Sequence, residues 1–394
     1  MKILLVNQHT SNFGDDAAGL AFVEMALSSG RVDSIDVIYN GGEGGIPTAD
    51  ERVRRPEGVE LKQIGVFTLA VYFASMGLLV AGCGRRALNG FRDLVRSADL
   101  VFVAPCGANI GIYRSWHFLV RLLIVVREGG RPIFHLNTLG RSGDWLFDRI
   151  ALSVLRRSTL YVRDVASQAF LREVGLDAPT GPDTAFALPA RHGGVREDVL
   201  SFVPSELDSW HPEFRENGAN SLILGTLVDE VARFAVTEGL RIEILPHLRS
   251  AGEVAFNRAV QAALIAAGAP AGAVIIRGDI TELSAYDSAI ASSRLVIGGR
   301  YHSIVLAAKN HRPFVALSYE NKMQEVCRYL GMERLRVDLH HPATAGRELR
   351  SSLETALREE CSISETLRNV VLFRLRSEAA RPLSDFGLTP RMAF

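Results

Sequence analysis

The feature that most constrains the fold is a regular alternation of short β-branched runs and longer stretches with helical periodicity. This pattern predicts parallel strands joined by crossover helices, in sheets covered by helices on both faces. The runs that are typical of buried strands fall into two groups: residues 2–6, 34–39, 100–104, 132–137 and 158–162, then residues 199–203, 242–245, 273–277, 295–299 and 313–317. The sequence therefore predicts an α/β protein with two similar sheets.

A segment rich in Pro, Gly and charge at 181–198 separates the two groups and has no apolar period, which is typical of a linker. We expect an N-terminal Rossmann-like domain at 1–190, a C-terminal Rossmann-like domain at 191–370, and a helical segment at 371–394 that packs back on the first domain. Two doubly wound domains that face each other form a cleft at the carboxyl ends of their strands, where such sheets bind ligands.

The composition argues against several classes of partner. Lys plus Arg and Asp plus Glu number 44 each, so no net charge attracts nucleic acid. Dinucleotide and P-loop motifs are absent, and so is the paired spacing of metal ligands, so we expect neither a nucleotide cofactor nor a metal. The four cysteines are far apart and the chain shows no signal-peptide pattern, which predicts a reducing, cytoplasmic setting.

Residues 64–83 form an uncharged stretch of twenty residues, about the length of a membrane span. Several Gly, Ser and Thr residues dilute its hydrophobicity, and a span would interrupt the alternation of strands and helices. Three interpretations stay open: a buried helix, an apolar helix resting on a membrane face, and a true span. The second predicts peripheral contact with the inner face of the cell membrane.

Candidate ligand-binding residues follow the strands of the first domain. Asn12, Gly14 and Asp15 come just before a helix expected to begin near residue 16, whose backbone N–H groups could hold an anion or a sugar hydroxyl. Gly107 and Asn109 lie in the loop after the third strand, where small residues let the backbone approach a ligand. A helix cap and a tight turn are the structural alternatives.

Arg163 stands at the end of the fifth strand, where its planar guanidinium suits a carboxylate or a phosphate. The alternative is an ion pair with Asp164, the expected cap of the next helix, or with Asp183. His247 follows the strand at 242–245 and is also a candidate for binding. An isolated histidine is more often structural than a ligand.

The most informative stretch is "GGRYHSIVLAAKNHRPFVALSYENK" at 298–322. Arg300, His302 and Ser303 form the loop and first helical turn after one strand, and the next strand ends beside Tyr319 and Lys322. In an extended loop, positions two apart fall on one side, so Arg300 and His302 should point the same way. We expect the cationic side chains to converge at the strand ends, at a helix N-terminus.

Three like charges repel unless an anion lies between them, which predicts a strongly anionic small molecule as the ligand. The alternative is that Arg300 and Lys322 pair with Asp279, Asp287 or Glu320.

The sequence resembles the polysaccharide pyruvyl transferase family. The resemblance is carried by "NFGDDAA" at 12–18, the stretch at 140–176 with "GPDTAF" after it, and the stretch at 293–332, in the family's order. The last is the most specific, because it combines Arg-x-His with a downstream Tyr and Lys. The family resembles glycosyltransferases of the GT-B architecture, with an acceptor-side first domain and a donor-side second domain. One departure is Pro-Cys-Gly-Ala at 105–108, where many members have Pro-Gly-Gly-Gly.

The resemblance implies transfer of a pyruvyl group from phosphoenolpyruvate, the donor substrate, to a sugar of a cell-envelope or exopolysaccharide glycan or its lipid-linked precursor, without a cofactor. Arg300, His302 and Lys322 match the donor-binding motif, and Arg163 matches the arginine of the middle motif. His302 is the candidate general acid, Lys322 the second choice, and Asp15 the candidate acceptor of the hydroxyl proton.

Two other functions stay open at this point. A nucleotide-sugar glycosyltransferase of GT-B type would need a diphosphate site and a base pocket in the second domain. A non-catalytic glycan-binding protein could keep the same fold, because fold alone does not establish activity. The acceptor sugar and the oligomeric state, including a homo-oligomer, are not determined by the sequence.

Overall fold

The computed structural model describes residues 1–10, 12–40, 45–59, 64–191, 197–209, 211, 214, 218–248 and 250–391. The chain divides into two compact units. Unit 1 comprises Met1–Ser11, Asp15–Ala187 and Ser377–Phe394, and unit 2 comprises Asn12–Gly14 and Leu188–Arg376.

Unit 1 contains a parallel six-stranded sheet, and helices lie between most pairs of successive strands. Its strands are β1 (Lys2–Gln8), β2 (Ser34–Tyr39), β3 (Val53–Arg54), β4 (Leu100–Val103), β5 (Pro132–Asn137) and β6 (Thr159–Val162). Its helices are α1 (Phe13–Ser28), of which the first two residues belong to unit 2, α2 (Val66–Ala74), α3 (Arg85–Ser97), α4 (Trp116–Arg127), α5 (Trp145–Leu155) and α6 (Val165–Glu173). The strand order is β3-β2-β1-β4-β5-β6.

Both faces of this sheet are buried, which is why its strands are almost continuous apolar runs. Leu4 of β1 packs in the cluster on one face and its neighbour Ile3 packs in the cluster on the other. The second cluster also contains Leu383, from the C-terminal helix Arg376–Ser384. Each such side chain stabilises the unit by roughly 1.5–3 kcal/mol relative to an exposed position.

Unit 2 repeats the same architecture. Its strands are β7 (Val199–Val203), β8 (Arg241–Ile244), β9 (Val274–Ile276), β10 (Leu295–Gly298), β11 (Phe314–Ser318) and β12 (Arg336–Asp338). Its helices are α7 (Ala219–Leu222), which continues through a π turn into α8 (Val228–Thr237), α9 (Ala251–Ala266), α10 (Leu283–Ser292), α11 (Tyr301–Lys309), α12 (Asn321–Leu330), α13 (Pro342–Arg358) and α14 (Glu360–Val370). The C-terminal helix Arg376–Ser384 is α15. The parallel strands lie in the order β12-β11-β10-β7-β8-β9.

Each sheet has one topological switch point, where the connections turn in opposite directions along the sheet. It lies between β1 and β4 in unit 1 and between β7 and β10 in unit 2. Ligands of open α/β sheets bind beyond the carboxyl ends of the strands at such points. At the exit from β10 the backbone passes so close to the end of β7 that a Cβ on Gly299 would lie 2.8 Å from the carbonyl oxygen of Val203. Only glycine fits there.

The predicted pattern of two doubly wound parallel sheets is confirmed, and each strand predicted from the sequence is present within two residues. The sequence missed β3 and β12, which have two and three residues and so leave almost no apolar period. Helix α1 begins at Phe13 rather than near residue 16. Within the predicted linker at 181–198, Thr184–Ala187 form one 3₁₀ turn, and residues 192–196 lie outside the described residues.

The uncharged stretch at 64–83 contains one short helix, the nine-residue α2. No helix in the described part of the chain has the length and apolarity needed to cross a bilayer. The interpretation of a buried helix is also wrong for most of the stretch, since only a few positions such as Thr68 and Tyr72 are buried. Its large apolar side chains at Val66, Phe67, Met76, Leu78 and Leu79 are exposed.

Candidate functional site

The three predicted cations lie at the carboxyl edge of the unit 2 sheet. Arg300 is the extended residue that precedes α11, and His302 is the second residue of that helix. The sequence argument placed both residues in an extended loop, which is wrong for His302 because α11 has already begun there. Lys322 is the second residue of α12. The charges of all three act on the buried ring of His247, so the side chains share one region of unit 2.

Arg300 has a carboxylate partner that the sequence did not suggest. Its Nη2 donates to Oε2 of Glu253, 3.2 Å away, and both side chains are largely buried. The other oxygen of Glu253 accepts the backbone N–H groups of His247 and Leu248. Burial raises the pKa of Glu253, while Arg300 and these N–H groups oppose that rise. Glu253 therefore holds Arg300 and the loop after β8 together.

Lys322 pairs with Glu320, with Nζ 2.7 Å from Oε2, in a partly buried position. The alternative of internal ion pairs is thus correct for Lys322 and Glu320. It is wrong for the two aspartates, because Asp279 pairs with Arg277 and Asp287 pairs with the buried Lys309. The cations are close to one another and partly compensated by carboxylates, so their repulsion does not by itself require a bound anion.

His247 is buried, and its ring stacks on that of His302 with centroids 6.3 Å apart. Burial lowers its pKa well below the ordinary value of 6.5, and the charges of Arg300, His302 and Lys322 lower it further. Its Nδ1 lies 3.2 Å from the hydroxyl of Tyr286, whose pKa burial raises well above 10.0. This imidazole is therefore neutral at neutral pH.

Residues 12–14 belong to unit 2 and contact this region. A Cβ on Gly14 would overlap the ring of His302, so the ring packs directly on the backbone there. Phe13 stacks on Tyr286 with ring centroids 4.8 Å apart, and Asn12 forms a β-bridge with Leu248. Asn12 and Gly14 thus lie beside the cations, as residues that position the ring of His302 and the loop after β8.

The other two candidates of the stretch 298–322 are buried. The Ser303 hydroxyl donates to the carbonyl oxygen of Arg300 at 2.6 Å, which fixes the turn into α11. Tyr319 is almost fully buried, its ring lies against His211, and its carbonyl oxygen is 3.2 Å from Nε2 of His340.

In unit 1, the guanidinium of Arg163 is held by neighbours of its own sheet edge. Nη1 lies 2.8 Å from Oδ2 of Asp183, and Nε donates to the hydroxyl of Thr138 at 2.9 Å. The structural alternative for Arg163, an ion pair with Asp183, is therefore present. Asp164 accepts from the N–H of Ser167 at 2.7 Å, which confirms it as the cap of α6.

The loop after β4 carries Gly107 and Asn109. A Cβ on Gly107 would lie 3.2 Å from the ring of Tyr113, so the loop folds tightly on itself. Asn109 is buried, and its Nδ2 lies 3.3 Å from Sγ of Cys106. Burial raises the pKa of Cys106 to about 12, with a further rise from the charge of Asp15, so this thiol is not a nucleophile at neutral pH.

The sequence analysis missed several polar residues at the two sheet edges. Glu253 follows the capping residue Ser250 by three positions, which is a recognisable helix-start pattern. In unit 1, His9 and Arg121 lie near the switch point, and a lone arginine in the apolar run "WHFLVRLLIVVR" was the available signal. No group of three or more His, Cys, Asp or Glu among the described residues is arranged to hold a metal ion.

Comparisons with known proteins agree with this architecture. The family model described as polysaccharide pyruvyl transferase matches residues 12–321, which is most of the chain. None of the curated proteins matches the sequence.

Solved structures share the fold across almost the full chain. The UDP-GlcNAc 2-epimerase from Methanocaldococcus jannaschii matches with a TM-score of 0.59 at 12% identity, over 98% of this chain and 99% of that one. The Anabaena protein HepE, solved in complex with UDP and glucose, matches with a TM-score of 0.58 at 16% identity, over 98% and 99%. The epimerase from Neisseria meningitidis matches at 0.53 and 11%, over 98% and 100%. At these identities the likeness shows the fold alone, and the predicted GT-B-like pair of Rossmann-like domains is confirmed.

The depressed pKa of His247 predicts a measurable dependence of stability on pH. The unfolded chain binds a proton at His247 below about pH 6.5 that the folded chain does not bind, so stability present above this pH is lost as the pH falls. His247→Gln should lower proton uptake on unfolding by about one at roughly pH 5.5. The measurement is the pH slope of the free energy of unfolding, with His117→Gln on the exposed surface of α4 as the control. An unchanged slope in His247→Gln would show that the folded protein already carries this charge.

Proposed function

The chain belongs to the polysaccharide pyruvyl transferase family, and we propose that it moves a pyruvyl group from phosphoenolpyruvate to a sugar. The acceptor is a cell-envelope or exopolysaccharide glycan or its lipid-linked precursor, and the product is a ketal across two sugar hydroxyls. Phosphoenolpyruvate is a substrate, and the reaction needs no cofactor. The reaction takes place in the cytoplasm.

The observation that carries this proposal is that Arg300, His302 and Lys322 follow strands at one edge of the unit 2 sheet, where their charges act on the neutral ring of His247 and His302 stacks on that ring. Phosphoenolpyruvate is small and carries a carboxylate and a phosphate. A planar guanidinium suits one of these groups by donating paired hydrogen bonds, and an ammonium suits the other as a point charge. The first turns of α11 and α12 add their positive helix ends at the same edge of the sheet.

The internal ion pairs shape how the donor binds. Glu253 fixes Arg300 at the sheet edge through a buried contact, so this guanidinium loses little conformational freedom when an anion arrives. Glu320 holds Lys322 in the same way, although its carboxylate also competes with the anion for the ammonium. We infer that donor binding replaces the contact between Lys322 and Glu320 and keeps the contact between Arg300 and Glu253.

His302 is the general acid in this proposal. The reaction requires a proton on the methylene carbon of phosphoenolpyruvate, which turns the adjacent carbon into an oxocarbenium-like electrophile. His247 does not serve as the acid for that step, because its lowered pKa leaves the imidazole unprotonated at neutral pH. His302 lies on the helix turn beside Arg300 and packs on Gly14, so its ring is held in a defined orientation.

The remaining steps balance without an outside reagent. One sugar hydroxyl attacks the electrophilic carbon and loses its proton. The phosphate then leaves, and a neighbouring hydroxyl attacks the same carbon and closes the ring. The proton of this second hydroxyl goes to the released phosphate. The net reaction joins one phosphoenolpyruvate to two hydroxyls and releases inorganic phosphate. We also propose Arg163 as a donor ligand, because its guanidinium at a strand end suits a carboxylate or a phosphate, and Asp15 as the acceptor of the hydroxyl proton.

The direct test is to incubate candidate glycans with phosphoenolpyruvate, to look for the added pyruvyl mass, and to measure released phosphate. His302→Gln should lower the rate by roughly 10²–10⁴-fold and retain donor binding, because only the proton donor is lost. His341→Gln, an exposed imidazole of unit 2, is the control and should keep the wild-type rate. Turnover of His302→Gln at the wild-type rate would refute the acid role, and an unmodified glycan in every reaction would count against the transfer itself.

Replacing Glu320 tests the competition at Lys322. Glu320→Gln should tighten phosphoenolpyruvate binding by about fivefold, because a partly buried pair of this kind contributes about 1 kcal/mol that the anion then no longer has to displace. Glu325→Gln removes an exposed ion pair with Arg328 on the same helix and should leave the affinity unchanged. Calorimetric titration measures both, and weaker binding in Glu320→Gln would mean that this carboxylate assists the donor.

We also propose peripheral membrane contact through residues 64–83. Leu78 is 85% exposed and Leu79 is 62% exposed, and the exposed Arg85 and Arg86 follow in the chain. An apolar surface with basic neighbours suits an anionic leaflet. Leu78→Ser with Leu79→Ser should lower co-sedimentation with anionic phospholipid vesicles, whereas Val236→Ser, at an exposed apolar position of α8, should not. Equal sedimentation of the double variant and the wild type would contradict this contact.

A further inference from the structure

Unit 1 contains a buried arginine that forms no ion pair with an acidic residue in the described part of the chain. Arg121 lies on α4 and is 2% exposed. Burial lowers its pKa to about 10, and no carboxylate of the described residues forms an ion pair with it. Burying a charge without an opposite charge beside it lowers the stability of the fold by several kcal/mol. A buried arginine of this kind therefore suggests that an anionic ligand compensates its charge.

Neutral amides hold this guanidinium in place. Nη1 donates to Oδ1 of Asn7 at 2.9 Å and to Oδ1 of Asn40 at 2.7 Å. Asn7 has a left-handed backbone, with φ of 67°, and lies at a bulge where the pairing of β1 with β2 shifts register. Backbone strain and bulges of this kind concentrate at ligand sites, where they aim a side chain. In the described part of the chain, Nε and Nη2 of Arg121 donate to no partner.

The amide of Asn40 continues the network to His9. Because Oδ1 of Asn40 accepts from Arg121, its Nδ2 faces Nε2 of His9, 3.1 Å away. The proton of the neutral ring is then on Nδ1, and Asn109 forms a hydrogen bond with this ring. Burial lowers the pKa of His9, the charge of Asp15 opposes this, and the charge of Arg121 adds to it. Neither His9 nor the amides compensate the charge of Arg121.

The network lies at the unit 1 switch point. Asn7 lies near the end of β1 and His9 just after it, Asn40 follows β2, and Asn109 follows β4, so the group occupies the edge where an open α/β sheet binds its ligand. We propose that Arg121, supported by Asn7 and Asn40 and flanked by His9 and Asn109, forms a subsite for an anionic group of the acceptor sugar. The group is a carboxylate, as in a uronic acid, or a phosphate attached to the sugar. This inference rests on the proposed transfer to a glycan.

Binding of three matched probes tests the subsite. Glucuronic acid carries the carboxylate, glucose 1-phosphate carries the phosphate, and glucose is neutral. Calorimetric titration of the 394-residue chain should detect binding of one or both anionic probes, and the chain should bind glucose at least tenfold more weakly. The probe that binds identifies the source of the charge. If neither anion binds more tightly than glucose, the subsite is refuted.

Variants of Arg121 connect this binding to the guanidinium. Arg121→Gln should weaken binding of the anionic probe at least tenfold, since the substitution removes a charge-assisted pair of hydrogen bonds. Arg127→Gln removes an exposed arginine from the same helix and should bind like the wild type. If Arg121→Gln does not fold, Arg121→Lys retains the charge without the planar fork and should show a smaller loss. Wild-type affinity for the anionic probe in the folded variant would overturn the proposal.

Titration of phosphoenolpyruvate into the same variants separates this inference from the proposed function. Arg121→Gln should bind phosphoenolpyruvate as the wild type does, because Arg300, His302 and Lys322, which carry the proposed donor site, belong to unit 2 and Arg121 belongs to unit 1. If the wild type does not bind phosphoenolpyruvate, the proposed transfer is refuted, whatever the sugar probes show. Loss of donor binding only in Arg121→Gln would place the anion of Arg121 on the donor and overturn the acceptor subsite.

Discussion

The close approach of the backbone between β10 and the end of β7 is the constraint on which the rest of unit 2 depends. Because Gly299 has no side chain, the chain can leave the sheet within 3 Å of the Val203 carbonyl and enter α11 at once. Arg300 and His302 therefore reach the switch point from a rigid strand and a rigid helix. A side chain at Gly299 would push this exit outward and carry both residues with it. Sites built on such elements keep their geometry better than sites built on long loops.

The balance between cations and carboxylates determines which ligands the carboxyl edge of the unit 2 sheet can bind. Two carboxylates, Glu253 and Glu320, partly compensate Arg300 and Lys322, and a neutral His247 lies among them. Such pairs leave the cations ordered and able to exchange one partner for another. The charges are arranged differently in unit 1: Arg163 is paired with Asp183, whereas Arg121 hydrogen-bonds to the amides of Asn7 and Asn40 and, within the described residues, to no carboxylate. The two sheet edges thus present different chemistry on the same strand order.

The strands could be predicted from the sequence because buried parallel strands leave apolar runs along the chain. The motifs could be placed at strand ends because they directly follow those runs. It also located Arg300, His302 and Lys322, since glycine pairs and strand ends are local signals. It did not reveal Glu253 as the partner of Arg300, because 47 positions separate them and only the folded sheet brings α9 beside α11. For the same reason the contact of Asn7 and Asn40 with Arg121, which joins residues more than 80 positions apart, was beyond a local pattern. The sequence left the exposure of 64–83 undecided because apolar length alone does not distinguish a buried helix from an exposed one.

The central claim is that the unit 2 switch point binds a compact anion rather than a nucleotide. Titration of phosphoenolpyruvate and of UDP into the wild-type protein at increasing salt concentration tests it most directly. Phosphoenolpyruvate should bind with one-to-one stoichiometry and weaken as salt screens the cations, while UDP should bind far more weakly. Tight binding of UDP with no detectable binding of phosphoenolpyruvate would contradict the account.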